Sequence, residues 1–119
     1  MAKVLLVDDA AFMRMRCAKV LTKMGHSVVE AENGLQALDV FDREAPELVL
    51  LDITMPEMDG LEALKQIKKR SPNAKVAMVS AMGQQDMVLE AIKSGAADFV
   101  LKPFDEDRLI SAIEKLLSA

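Results

Sequence analysis

The chain has 119 residues, 51% of them hydrophobic and 29% charged, with a formal net charge of -4. That length fits one domain, and that apolar content supports a packed core and argues against disorder. No apolar run reaches a bilayer span, and an acidic chain with four Phe, no Trp and no Tyr lacks the basic patch and stacking platform that nucleic acid requires.

"KVLLV" (3–7) is a short Val/Leu run of the kind that makes a parallel strand buried on both faces. The N-terminus enters it directly, without a signal-peptide pattern. Asp8 and Asp9 follow it. Met13, Cys17, Val20, Leu21 and Met24 then recur at i, i+4, i+7, i+8 and i+11, one face of a first helix. Cys17 is the single cysteine, which cannot close an internal disulfide and fits a reducing cytoplasm. Arg16 lies one residue off the apolar stripe and is expected to snorkel at the helix edge. Gly25 sits where a helix C-cap belongs, and His26, in the turn before the next strand, reads as a surface residue rather than a ligand or base.

"SVVEA" (27–31) is the second strand. Asn33-Gly34 opens a second helix faced by Ala37, Leu38 and Phe41, and Pro46 stops it. "ELVLL" (47–51) runs straight into Asp52. Asp59-Gly60 then opens a third helix with Leu61, Leu64 and Ile67 inward, and Pro72 follows it. "KVAMVS" (75–80) ends on Ser80. A fourth helix shows Met87, Ala91 and Ile92 on one face, with Gly95 at its end. "DFVLK" (98–102) ends on Lys102-Pro103, which holds Lys102 extended. Asp105 caps a last helix faced by Leu109, Ile113, Leu116 and Leu117. Nine Met residues suit adaptable contact surfaces as well as a core.

Five strand–helix units imply a parallel sheet with helices on both faces and right-handed crossovers, an α/β architecture without linker or repeat. Ligands in such sheets bind beyond the carboxyl ends of the strands. The residues at that edge are Asp8, Asp9, Asp52, Ser80 and Lys102. Taken singly, Asp8-Asp9 reads as a helix cap, Ser80 as a turn residue and Lys102 as a solvated lysine. Their convergence on one edge reverses that reading. Three neighbouring carboxylates repel one another, and a divalent cation removes the conflict. An all-oxygen set suits Mg²⁺, with Mn²⁺ as second candidate. A cation, an ammonium and a hydroxyl beside one carboxylate would stabilise a phosphoryl group on it. No Walker A loop or G-x-G-x-x-G anchors a nucleotide. Haloacid-dehalogenase-type phosphatases need a second Asp where this chain has Thr54.

"LLVDDAAFMR", "LLDITMPEMDG", "VSAMG" and "DFVLKPF", in that order, resemble the receiver domain of two-component response regulators over essentially the whole chain. The resemblance implies a flavodoxin-like (βα)5 sandwich with strand order 2-1-3-4-5, a single receiver domain over 1–119. It implies that Asp52 is the phosphoacceptor, served by a sensor histidine kinase. Asp9 and Asp52 would bind Mg²⁺ directly with the backbone carbonyl of Thr54, and Asp8 through a water. Lys102 would bridge to the phosphoryl oxygens, with a cis Lys102-Pro103 bond setting the turn. Ser80 would swing toward the phosphoryl group, and Phe99, on the face opposite Lys102, would be the switch aromatic or plain core. Thr54 and Met82 stand where the family tunes water access. Met82 cannot orient water by a strong hydrogen bond, so slow self-dephosphorylation is expected, with a phosphatase as a further partner.

"DDAAFMRM", "DITMPEMDG" and "SAMGQQ" are similar to stand-alone chemotaxis response regulators of the CheY type. With no output domain after the fifth helix, such a protein would signal through its own surface, as a monomer, to the flagellar motor switch. Met82 and Met87 would contribute to an adaptable docking patch. The alternative is a phosphorelay intermediate that passes its phosphoryl group to a histidine phosphotransfer protein. Neither nucleic acid nor membrane is an expected partner, and the expected role is that of a signalling phosphoprotein rather than an enzyme acting on outside substrates.

Overall fold

The computed structural model describes residues 1–55 and 58–118. Strands and helices alternate as β1 (Lys3–Val7), α1 (Ala11–Lys23), β2 (Ser27–Ala31), α2 (Gly34–Glu44), β3 (Leu48–Leu51), α3 (Gly60–Arg70), β4 (Lys75–Ser80), α4 (Gln85–Lys93), β5 (Asp98–Leu101) and α5 (Glu106–Leu117). The five strands form one parallel sheet in the order β2-β1-β3-β4-β5. β3 begins one residue later, and β5 ends one residue earlier, than the apolar runs predict.

The sheet divides the core in two, because successive strand side chains point to opposite faces. Leu5 and Val7, Val49 and Leu51, and Val76 and Met78 join one cluster with residues of α2, α3 and α4. Val4 and Leu6, Leu48 and Leu50, Ala77 and Val79, and Val100 join the other with residues of α1 and α5. Most predicted helix faces are buried as the periodicity requires, Leu21, Leu64, Ile67, Leu109 and Ile113 completely. Ile92 is the exception. It is 48% exposed, and only Ala91 of α4 is fully buried, so α4 packs on a narrower stripe than its sequence implies.

The helix ends follow from local chemistry. Asn33, Asp59 and Asp105 accept the backbone N–H three residues on, at 2.9, 2.9 and 2.8 Å. Such caps are worth about 1 kcal/mol each. Gly25 and Gly95 lie past helix ends at φ of 90° and 106°, where a side chain would be strained. His26 is not a free surface residue: half-buried, its Nδ1 accepts the backbone N–H of Ala2 at 3.0 Å, tying the N-terminus to the α1–β2 turn. Arg16 places its guanidinium 5.4 Å from the centroid of Phe104 and donates to the Phe104 carbonyl at 3.3 Å. At the outer side of β5, Asp98 accepts the N–H of Phe99 at 2.8 Å, and Arg108 of α5 donates to the Phe99 carbonyl at 3.1 Å. No described helix is long and apolar enough to cross a membrane.

Candidate functional site

Strand register assembles the site. Val7 of β1 pairs with Leu51 of β3, so Asp8 and Asp52 leave adjacent strands side by side. The Asp52 N–H donates to the Val7 carbonyl at 3.0 Å, continuing the ladder one step beyond the strands. Asp8, Asp52 and Lys102 continue the alternation of Leu6, Leu50 and Val100 on their respective strands, and those three residues all face the α1/α5 side of the sheet. Lys102 is held at that edge by its N–H, which donates to the Ser80 carbonyl at 2.8 Å, and its bond to Pro103 is cis.

Asp8, Asp9 and Asp52 each offer a carboxylate oxygen within 4.8 Å of the other two. Asp8 and Asp52 are 6% and 7% exposed, while Asp9 is open to solvent. Asp8 is engaged on both oxygens: Oδ1 accepts the Ala10 N–H at 2.9 Å, and Oδ2 accepts Lys102 Nζ at 2.7 Å. Asp52 Oδ1 accepts the Ile53 N–H at 2.8 Å, and its Oδ2 lies 3.6 Å from Lys102 Nζ. The lysine therefore sits between two buried acids rather than in solvent.

Burial pushes the Asp52 carboxyl above its ordinary range; the Lys102 charge opposes this, Asp8 and Asp9 reinforce it, and the Ile53 N–H opposes it. Burial alone would lower Lys102, but the hydrogen bond to Asp8 and the charges of Asp52 and Asp8 prevail and raise it, so the ammonium stays protonated. Among the described residues, these three carboxylates against one ammonium leave two formal negative charges. The donors are hard oxygens. The nearest soft candidate, Cys17, is buried, with its thiol pushed up to about 11 by burial and by Asp8. This donor set fits a hard divalent cation such as Mg²⁺.

Ser80 is fully buried, and its Oγ accepts the Met82 N–H at 3.0 Å. Met82 is half-buried and Thr54 exposed. Phe99 is half-buried and packs with the cluster opposite Lys102, as strand alternation requires. Pro56 and Glu57, within the "TMPEMDG" stretch, lie outside the described residues.

Arg14 and Glu30 shape the site without having stood out in the sequence, and Gly60, read there only as a helix start, shapes it too. Arg14 Nη1 donates to the Asp8 carbonyl at 2.6 Å, and its Nε donates to Glu30 Oε1 of β2 at 2.9 Å. Gly60 opens α3 against the backbone after β3: its N–H donates to the Ile53 carbonyl at 2.7 Å, and a Cβ there would collide with the Asp52 carbonyl oxygen. The i to i+4 pattern marks Arg14 only as a polar position on α1, and its target is visible only once β2 is placed beside β1.

Residues 4–114 match the model for the response regulator receiver domain. The chain is 55% identical over 117 residues to "Chemotaxis protein CheY" of Bacillus subtilis, covering 98% of each chain. It is 52% identical over 115 residues to the protein of the same description from Thermotoga maritima, covering 96% of each. Among solved structures, it matches a chain of the CheX-CheY-BeF3-Mg²⁺ complex from Borrelia burgdorferi with a TM-score of 0.93 and 31% identity, covering 97% of this chain and 88% of that one.

Proposed function

The chain belongs to the response regulator receiver domain family, a family of phosphorylation-activated modules of two-component signalling, and from that premise we propose that Asp52 accepts a phosphoryl group from a sensor histidine kinase and that the phosphorylated protein binds the flagellar motor switch in chemotaxis. The observation that carries the chemistry is the cluster of Asp8, Asp9 and Asp52 with Lys102 Nζ between Asp8 and Asp52. The likeness to proteins described as chemotaxis proteins supports the physiological role.

In this reading a carboxylate oxygen of Asp52 forms the new O–P bond while the P–N bond to the donor histidine breaks, and the imidazole nitrogen leaves with the electron pair. Asp8, Asp9 and Asp52, with the Thr54 carbonyl, would hold Mg²⁺, which when bound offsets the charge of the phosphoryl oxygens. Lys102, kept protonated by its acidic neighbours, exchanges part of its contact with Asp8 for the phosphoryl oxygens. Ser80 Oγ already accepts the Met82 N–H, so its own proton is available to donate to the phosphoryl group. That movement draws on the loop after β4, and Phe99, on the face of the sheet that Ser80 shares with Val76 and Met78, is the aromatic that answers it. The biased equilibrium between two loop arrangements is the signal. The protein acts as a single receiver domain and a signalling phosphoprotein.

Incubation with acetyl phosphate and Mg²⁺ tests the chemistry: intact mass should show one added phosphoryl group, absent in Asp52→Asn. Labelling that survives Asp52→Asn overturns the assignment. Titration of a motor-switch N-terminal peptide, with and without beryllofluoride and Mg²⁺, tests the role. Affinity that does not rise with beryllofluoride removes the motor-switch reading while leaving the phosphoacceptor intact.

A further inference from the structure

We infer that Arg14, braced by Glu30, is a positioning residue that aims the carboxylate of Asp9 and thereby sets the divalent-cation affinity of the site, an inference that rests on the cation-binding reading above.

The carbonyl that Arg14 holds is that of the peptide joining Asp8 to Asp9. A peptide unit is planar, so fixing its oxygen fixes the plane and the position of the following Cα. Asp9 is the exposed member of the acidic cluster, with no side-chain hydrogen bond or ion pair of its own among the described residues. Its carboxylate is therefore aimed by its backbone. Asp8, by contrast, is held directly by Ala10 and Lys102. The helix that follows offers little help, because the Ala10 cap position makes no side-chain hydrogen bond and the first turn of α1 carries no acid.

Arg14 fills this gap. Its side chain is 15% exposed and its fork is used in two directions, Nη1 to the Asp8 carbonyl and Nε to Glu30. The Asp8 N–H meanwhile donates to the Ala31 carbonyl at 3.2 Å. The residue before Asp9 is thus tied to the end of β2 from both sides, once by backbone and once through the Glu30–Arg14 relay. A planar guanidinium can serve two acceptors in fixed directions, which a lysine ammonium cannot reproduce. Groups that orient metal ligands without touching the metal commonly contribute about 10- to 100-fold to affinity.

The test is a Mn²⁺ titration followed by electron paramagnetic resonance, with Mg²⁺ competition, on the full chain. Arg14→Ala and Arg14→Lys should weaken Mn²⁺ binding by about 10-fold, and Glu30→Ala by less, while Glu30→Gln, which keeps the acceptor, should restore most of the affinity. Arg14→Ala combined with Glu30→Ala should cost no more affinity than Arg14→Ala alone, since both act through one relay. Thermal unfolding without metal, measured alongside, separates this from general loosening of α1. If stability falls and Mn²⁺ affinity does not, Arg14 is structural only and the inference fails. If the unaltered protein binds no Mn²⁺ at all, the cation-binding reading itself falls. Should Arg14→Ala fail to fold, Arg14→Lys and the exposed Glu30 variants decide the matter by the same affinities.

Discussion

Replacing Lys102 with methionine keeps the length and most of the volume of the side chain and removes its charge. In the structure the ammonium lies 2.7 Å from Asp8 and 3.6 Å from Asp52, with all three side chains largely out of water. At an effective dielectric constant of about 20 those separations correspond to roughly 6 and 5 kcal/mol of attraction before desolvation is subtracted. Breaking a buried pair by removing one partner costs about 3–5 kcal/mol net. We expect Lys102→Met to lose about 3 kcal/mol at pH 7 without metal, or about 1.5 M in urea midpoint at a slope near 2 kcal/mol/M. With neither Trp nor Tyr in the chain, the unfolding is followed by far-ultraviolet circular dichroism. The loss has two signatures. Adding Mg²⁺ should recover part of it, because a cation that binds only the folded state restores the missing positive charge. Lowering the pH should recover part as well. Asp52 is already raised above its ordinary value by burial, and without Lys102 it rises further. A carboxyl raised in the folded state disfavours folding by a penalty that grows as pH rises from the unfolded value to the raised one, is complete above the raised value, and disappears as pH falls back to the unfolded value. A loss below about 1 kcal/mol, insensitive to both Mg²⁺ and pH, would refute the view that Lys102 neutralises this cluster.

The same sign argument predicts that Asp52→Asn is more stable than the unaltered chain at pH 7, and that the advantage narrows on acidification toward the ordinary carboxylate range; denaturation at two pH values checks it. Gly60→Ala should cost about 1–3 kcal/mol and slow labelling by acetyl phosphate, because the new methyl group must push back the Asp52 backbone. Asp105→Ala, remote from the chemistry, should cost about 1 kcal/mol and leave labelling unchanged. The phosphorylated protein, diluted out of phosphodonor, should lose its label slowly, since the thioether of Met82 cannot hold an attacking water; a lifetime like that of regulators with amide and acidic groups at positions 54 and 82 contradicts this.

The order of the elements was legible in the chain because short apolar runs and stripes of period 3.6 alternate cleanly, with caps at Asn33, Asp59 and Asp105 to mark the boundaries. The convergence of Asp8, Asp9 and Asp52 followed from one further rule, that such sheets gather chemistry at the carboxyl ends of their strands. What the pattern did not carry was lateral. Ile92 sits at a helical spacing that suits burial, yet α4 lies against the sheet on too narrow a stripe to cover it. Lys102 was placed at that edge by the same rule, but its contact with Asp8, 94 residues away in sequence, shows only once β5 is set beside β4. Arg14 and Glu30 meet across two elements, and the crowding at Gly60 depends on how closely one helix approaches another segment's backbone. These are distances between elements, and periodicity within an element holds no record of them.

β5 has a neighbour on one side only, so its outer row of peptide groups would be a template for a strand from another molecule. At the centre of that row both peptide groups of Phe99 are already occupied, the N–H by Asp98 and the carbonyl by Arg108. An incoming strand would have to displace a carboxylate and a guanidinium to start its ladder. The edge nearest the proposed signalling machinery is thereby protected, and pairing of a second strand along β5 should stay blocked for as long as Arg108 keeps its place.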